Sequence, residues 1–132
     1  MPYTHQIRIR YGEVDRQGVA YNSHFLTYVD DTLENWLDGI REVRDQLGWD
    51  MMVKKASLEW QGPVGHADRL DIQAQVRHWG RSSWTVSYTG THQGTPVFEA
   101  EVLYVSIQLP ENTPIETPAP IREFMGEAVP LS

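Results

Sequence analysis

Hydrophobic and polar positions alternate over residues 3–11. Tyr3, His5, Ile7, Ile9 and Tyr11 share one side, and Thr4, Gln6, Arg8 and Arg10 share the other. A period of two predicts a strand with one face buried. Over residues 25–37 the period changes. Phe25, Leu26, Tyr28, Val29, Leu33, Trp36 and Leu37 recur at helical spacing, with Asp30, Asp31, Glu34, Asn35 and Asp38 as the polar positions. A helix this apolar is expected to be mostly covered by sheet. Asn22 or Ser23 is placed to cap its start and Gly39 to end it. Residues 41–47 predict a short second helix, stopped at Gly48.

The rest of the chain reads as strands in series. In 51–60, Met52, Ala56, Leu58 and Trp60 share a parity before Gln61-Gly62-Pro63 breaks the run. Residues 70–77 alternate Leu70, Ile72, Ala74 and Val76 with polar residues. After the tight Gly80–Ser83 connection, 84–92 alternate Trp84, Val86 and Tyr88 with threonine and serine. Residues 97–107 become apolar on both parities near their end, as in a central strand. Such short connections predict antiparallel neighbours in a long meander. Four prolines in 110–120 predict an extended surface tail, and 121–128 a last short helix. One strand, one buried helix and an antiparallel run make an α+β fold. A single sheet on a single helix leaves edges and part of a face uncovered, so dimerisation is expected.

The 132 residues are 40% hydrophobic and fit one domain, 1–132. A net charge of −7 argues against nucleic acid or an anionic membrane as main partner. The absence of cysteine excludes disulfides and thiolate chemistry. Neither a basic, apolar leader nor a membrane-length apolar run is visible, so the expectation is a soluble cytoplasmic protein. His5, His24, His66, His78 and His92 are scattered without ligand spacing, which points to no metal site.

The candidate chemistry lies in Tyr11–Phe25. A lone acid, Asp15, follows the first strand, then Gly18, then the opening of the long helix. The helix start offers backbone N–H groups and a positive dipole end to a carbonyl oxygen. The acid offers a base or a nucleophile. The bland alternative is an Asx turn or a capping carboxylate at Asp15. Glu13 reads as a solvated strand-end residue, and Asp30, Asp31 and Glu34 as a polar helix stripe, with Asp31 and Glu34 sharing a face as second-choice acids. Arg77 and Arg81, flanking a turn, are candidate contacts for nucleotide phosphates, with plain surface charge as the alternative.

The pattern Asp15, Gly18, Val19, Tyr21, Phe25, with Asp30 in the helix, resembles the hotdog-fold acyl-CoA thioesterases of the 4-hydroxybenzoyl-CoA thioesterase family. The element order matches over nearly the whole chain, and Gly62-Pro63 with Asp68-Arg69-Leu70 resembles that family's link between second and third strands. The resemblance implies a hotdog fold, an antiparallel sheet of five to six strands wrapped around one long helix. It implies hydrolysis of a small or medium acyl-CoA, aromatic acids among the candidates, to free acid and CoA without a cofactor. Asp15 takes the catalytic carboxylate's place and the Asn22 backbone N–H polarises the carbonyl. Gly18, Val19, Tyr21 and His24, with Arg77 and Arg81 from their charge, are the expected substrate-binding residues, plain packing being the alternative for Tyr21 and a structural role that for His24; a homodimer or homotetramer is the expected assembly. Asn22 stands where some relatives carry His, and Asp31 and Leu33 replace the helix arginines common in the family. Two other readings stand beside this one: a thioesterase acting on acyl carrier protein, and a non-catalytic acyl-CoA-binding dimer.

Overall fold

The computed structural model describes residues 2–130. Met1, Leu131 and Ser132, which the expected 1–132 domain includes, lie outside the described residues. Strand β1 (Tyr3–Arg8) leads through a short 3-10 turn, Tyr11–Glu13, and a looped segment into helix α1 (His24–Leu37). A second 3-10 turn and helix α2 (Arg41–Leu47) precede β2 (Trp49–Trp60). Then come β3 (Arg69–Trp79), β4 (Ser83–His92), β5 (Thr95–Gln108), the two-residue β6 (Thr113–Pro114) and helix α3 (Ala119–Met125).

The six strands form one antiparallel sheet in the order β1-β3-β4-β5-β2, with β6 on β5. Alternation builds its inner face. Register aligns Ala74 with Tyr88 and Tyr88 with Ala100, then Val76 with Val86 and Val86 with Val102. All of these are buried, while Gln73, Thr89 and Glu99 on the opposite face are exposed. Helix α1 lays Phe25, Tyr28, Val29, Leu33, Trp36 and Leu37 into the same core. Burying one such side chain contributes about 1.5–3 kcal/mol. This is the hotdog arrangement that the resemblance implied.

Several expectations are corrected. The first strand ends at Arg8, not residue 11, because the chain turns there; Tyr11 is 78% exposed while Ile9 is fully buried. β2 does not neighbour β3. It crosses to the far edge and pairs with β5, so the meander comprises only β3, β4 and β5. Its parity is broken by a register shift between Val53 and Lys55, and Met52, Val53 and Trp60 are about half exposed. Gly39 does not end the helical path, which runs on through Asp38–Ile40 into α2. The proline-rich 110–120 segment is not a free tail. Thr113–Pro114 pairs with Ile107 and Gln108, and Thr117 is buried with its Oγ1 2.7 Å from Ser106 Oγ. The last helix is Ala119–Met125, ended at Gly126.

Candidate active site

Asp15 sits on a closed turn. Its N–H donates to Val19 O at 2.9 Å, and Gly18 N–H donates back to Asp15 O at 3.0 Å. Gly18 takes φ +79°, a left-handed conformation that glycine adopts at little cost. The Asp15 carboxylate accepts the Gln17 N–H on Oδ1 at 2.8 Å. The Asx-turn reading therefore holds for one oxygen. Oδ2 accepts no hydrogen bond among the described residues, so the turn orients the group and leaves an oxygen available.

The return strand of this turn carries the chain to the helix. Val14 bridges Ala20, Ala20 N–H donates to Val64 O at 2.7 Å, and Tyr21 N–H donates to Glu13 O at 2.9 Å. Then the chain coils: His24 N–H reaches Tyr21 O and Phe25 N–H reaches Asn22 O. Those two bonds start the helix. The N–H groups of Asn22 and Ser23 donate to nothing among the described residues. Ser23 stands at the cap position but makes no side-chain capping bond, contrary to the expected cap. Two free donors thus precede a 14-residue helix, at the positive end of its dipole.

Phe25 anchors the helix start. It is buried, with ring centroids 5.4 Å from Tyr28, 5.4 Å from Phe98 and 6.1 Å from Trp60. Tyr21 and Leu26 are about half exposed, as is Trp60, so an apolar rim surrounds the helix start. His24 stacks on Tyr28 at 6.5 Å.

Glu13 is not the solvated residue expected. Its side chain is 14% exposed; Oε1 accepts the Arg10 N–H at 2.7 Å and Oε2 lies 3.9 Å from the Arg10 guanidinium. Its carboxylate faces the buried Tyr28 hydroxyl, which makes no well-formed hydrogen bond among the described residues. Burial first, then the Glu13 charge, pushes the Tyr28 pKa well up. Sequence reading missed Tyr28 as a polar group because its position reads as helix core.

The helix acids divide. Glu34 is committed to Arg44, whose guanidinium bonds Glu34 at 2.8 Å and Asp50 at 2.8 Å. Burial lowers the Arg44 pKa, but the two carboxylates outweigh it and hold the net shift upward. Asp31 is exposed. The Asp30 carboxyl is raised, by partial burial first and then by Asp31 and Glu34.

The structure gathers Asp15, Gly18, Val19, Tyr21, Asn22 and His24 in one stretch at one end of α1. Arg77 and Arg81 lie elsewhere. Val19 bridges Gly65, just before β3, whereas Arg77 is near the other end of β3 and Arg81 beyond it. The eight extended steps from Arg69 to Arg77 span roughly 26 Å at about 3.3 Å each. Arg77 is also occupied, donating to Ser87 Oγ at 2.7 Å and Val129 O at 3.0 Å, while Arg81 is exposed. Among the described residues no group of three or more His, Asp or Glu is placed to hold a metal ion. No described helix is long and apolar enough to cross a membrane.

Comparison with known proteins shows the family of the chain. Residues 9–129 match the family model of the thioesterase-like superfamily. The 1,4-dihydroxy-2-naphthoyl-CoA hydrolase of Synechococcus elongatus is 27% identical over 111 residues, covering 80% of this chain and 82% of that protein. Slr0204, a 1,4-dihydroxy-2-naphthoyl-CoA thioesterase from Synechocystis, superposes with a TM-score of 0.81 at 19% identity, covering 95% of this chain and 96% of that one. SAV2348 from Staphylococcus aureus, solved in complex with CoA, superposes at 0.84 with 12% identity over 100% of this chain and 89% of that one.

Proposed function

This chain belongs to the thioesterase-like superfamily and is a thioester hydrolase, and we propose that it acts on an acyl-CoA, with Asp15 and the Asn22 backbone as its chemical centre. One observation carries the reading: an acid with one anchored and one free oxygen sits just ahead of two free N–H groups at a helix start. The thioester carbonyl oxygen accepts from the Asn22 and Ser23 N–H groups. Asp15 Oδ2 takes the proton of a water whose oxygen attacks the carbonyl carbon, or attacks that carbon itself. Negative charge moves onto the carbonyl oxygen, where each donor is worth on the order of 3 kcal/mol in the barrier. The C–S bond then breaks and CoA leaves as thiolate: on the water route Asp15 returns its proton to the sulfur, and on the direct route a water opens the Asp15–acyl anhydride, giving the free acid, the restored carboxylate and the proton for the thiolate.

The rim of Tyr21, Leu26 and Trp60 supports an apolar acyl group. A fused-ring aromatic acid is the favoured form, because the Synechococcus elongatus relative is a naphthoyl-CoA hydrolase. The working unit is a homodimer joined along β2. That strand is at the sheet edge, pairs with β5 alone among the described residues, and leaves residues 52–57 exposed. In such a unit Arg77 and Arg81 can serve a site only from a partner copy.

The test is release of CoA thiol from acetyl-, butyryl-, palmitoyl-, benzoyl- and 1,4-dihydroxy-2-naphthoyl-CoA, beside the matching acyl carrier protein esters. Turnover highest for the aromatic CoA esters is expected. Turnover of carrier-protein esters alone, or binding without turnover, would overturn the proposal.

A further inference from the structure

The turn that carries Asp15 does not stand alone. A second turn, Gly65–Asp68, from the distant link between β2 and β3, lies directly against it. Val19 bridges Gly65, and Ala20 N–H donates to Val64 O at 2.7 Å. The approach is so close that a Cβ on Gly65 would come within 2.8 Å of Gly18 O, a backbone atom that cannot swing away. Residue 65 is therefore confined to glycine while the Asp15 turn keeps its present place.

The second turn is itself tied from every side. Asp68 Oδ2 accepts the Gly65 N–H at 2.8 Å, and Asp68 N–H donates to Gly65 O at 3.1 Å. Ala67 holds φ +68°, a left-handed conformation that non-glycine residues rarely adopt. It is kept there because Ala67 N–H donates to Ile9 O at 2.8 Å and Ile9 N–H to Asp68 O at 2.9 Å. Ile9 is fully buried, so these bonds root the turn in the core. The other Asp68 oxygen, Oδ1, faces His92 Nε2 at 3.7 Å, and His92 Nδ1–H donates to Arg69 O at 2.9 Å.

We propose that Asp68 is a positioning residue for the Asp15 carboxylate. It acts through Gly65: the Asp68 carboxylate fixes the Gly65 N–H, Gly65 packs on Gly18 O and bridges Val19, and Val19 O fixes the Asp15 N–H. This rests on the reading of Asp15 as the catalytic acid. Asp68 touches no reacting atom, so its loss moves the acid without removing it. Displacements on the order of 1 Å cost up to about 100-fold in rate.

The test uses Asp68→Ala, Asp68→Asn and Gly65→Ala in the full chain, with kinetics on the best ester and hydrogen exchange of residues 14–20 against residues 84–92 of β4. Asp68→Ala is expected to lower kcat about 10–100-fold with KM within about twofold. It should speed exchange in 14–20 about tenfold while β4 exchanges as before. Asp68→Asn keeps an oxygen for the Gly65 N–H and is expected to recover most of both. Gly65→Ala, which leaves Asp68 intact, is expected to reproduce the kcat loss. The proposal is overturned if Asp68→Ala leaves 14–20 at the wild-type exchange rate. It is overturned equally if exchange rises alike in β4, or if the turn loosens while kcat holds. Should Asp15 itself have no catalytic part, Asp15→Asn reports that separately with wild-type kcat, and the exchange comparison still decides whether Asp68 holds the turn.

Discussion

The ring of Phe98 stands where a side chain at residue 90 would have to go: a Cβ on Gly90 would lie 2.2 Å from Phe98 Cε1. The two residues face each other across β4 and β5, and the same ring meets Phe25 at 5.4 Å. A glycine in a strand thus seats the aromatic that supports the start of α1.

Gly90→Ala is expected to destabilise the fold by about 1–3 kcal/mol, the usual cost of overpacking a filled core. Moving Phe98 also unseats Phe25, so activity should fall beyond what the unfolded fraction explains. Urea denaturation with kinetics on the folded fraction checks both.

The buried Tyr28 hydroxyl faces the Glu13 carboxylate without a well-formed hydrogen bond among the described residues, and a poorly paired buried polar group costs stability. Tyr28→Phe removes it with the ring kept. The expected result is a Tm unchanged or raised, by up to about 1 kcal/mol in stability, with kcat held. A kcat loss of tenfold or more with the fold intact would instead put the hydroxyl in contact with substrate.

Arg44 ties three elements together. It bonds Glu34 of α1 and Asp50 of β2, and lies 5.5 Å from the centre of the Trp49 ring. Its side chain is only 17% exposed, but Glu34 and Asp50 are 57% and 40% exposed, so solvent weakens the pairs. Arg44→Met is expected to cost about 1–2 kcal/mol. Part of that loss should vanish in 1 M salt, which screens exposed charge. Denaturation at two salt concentrations measures it.

Asp30 gives a pH prediction. Its folded pKa is raised above the ordinary value, by burial first and by Asp31 and Glu34 next. The folded state therefore holds this proton longer than the unfolded chain does, and stability falls as pH rises through that window. Asp30→Asn should raise Tm at pH 7. The gain should shrink toward zero as pH drops to the ordinary aspartate range, where both states are protonated. Asp30 is exposed on the helix surface, so the effect is small. A gain that grows on acidification would contradict it.

What the sequence made legible follows distance along the chain. Strands β3 to β5 were readable because Leu70 to Val76, Trp84 to Tyr88 and the two-sided run before Gln108 each carry their own period. Helix α1 was readable from Phe25 to Leu37 for the same reason, and the Asp15 turn from Gly18, three residues away. The place of β2 was not readable. Nothing in Gln61-Gly62-Pro63 says that the chain crosses the sheet rather than turning back. The strand's surface parity was hidden by the bulge at Val53. The burial of Glu13 depends on Tyr28 from the next element. The support of Gly18 by Gly65 depends on a turn beyond β2, whose sequence shows only that a loop is present. The burial of Thr117, within the stretch read as a surface tail, depends on its partner Ser106 in β5.

The central claim is that Asp15 does chemistry on a thioester held at the Asn22 N–H. The direct measurement is kcat for CoA release from the best acyl-CoA by wild type and Asp15→Asn, with circular dichroism showing equal folding. Asn keeps an oxygen for the Gln17 N–H, so the turn should persist while the base or nucleophile is lost. A kcat lower by about 100-fold or more, with binding of the ester held within a few-fold, is the result predicted. A kcat within about threefold of wild type would show that Asp15 only closes its turn, and the claim would be wrong.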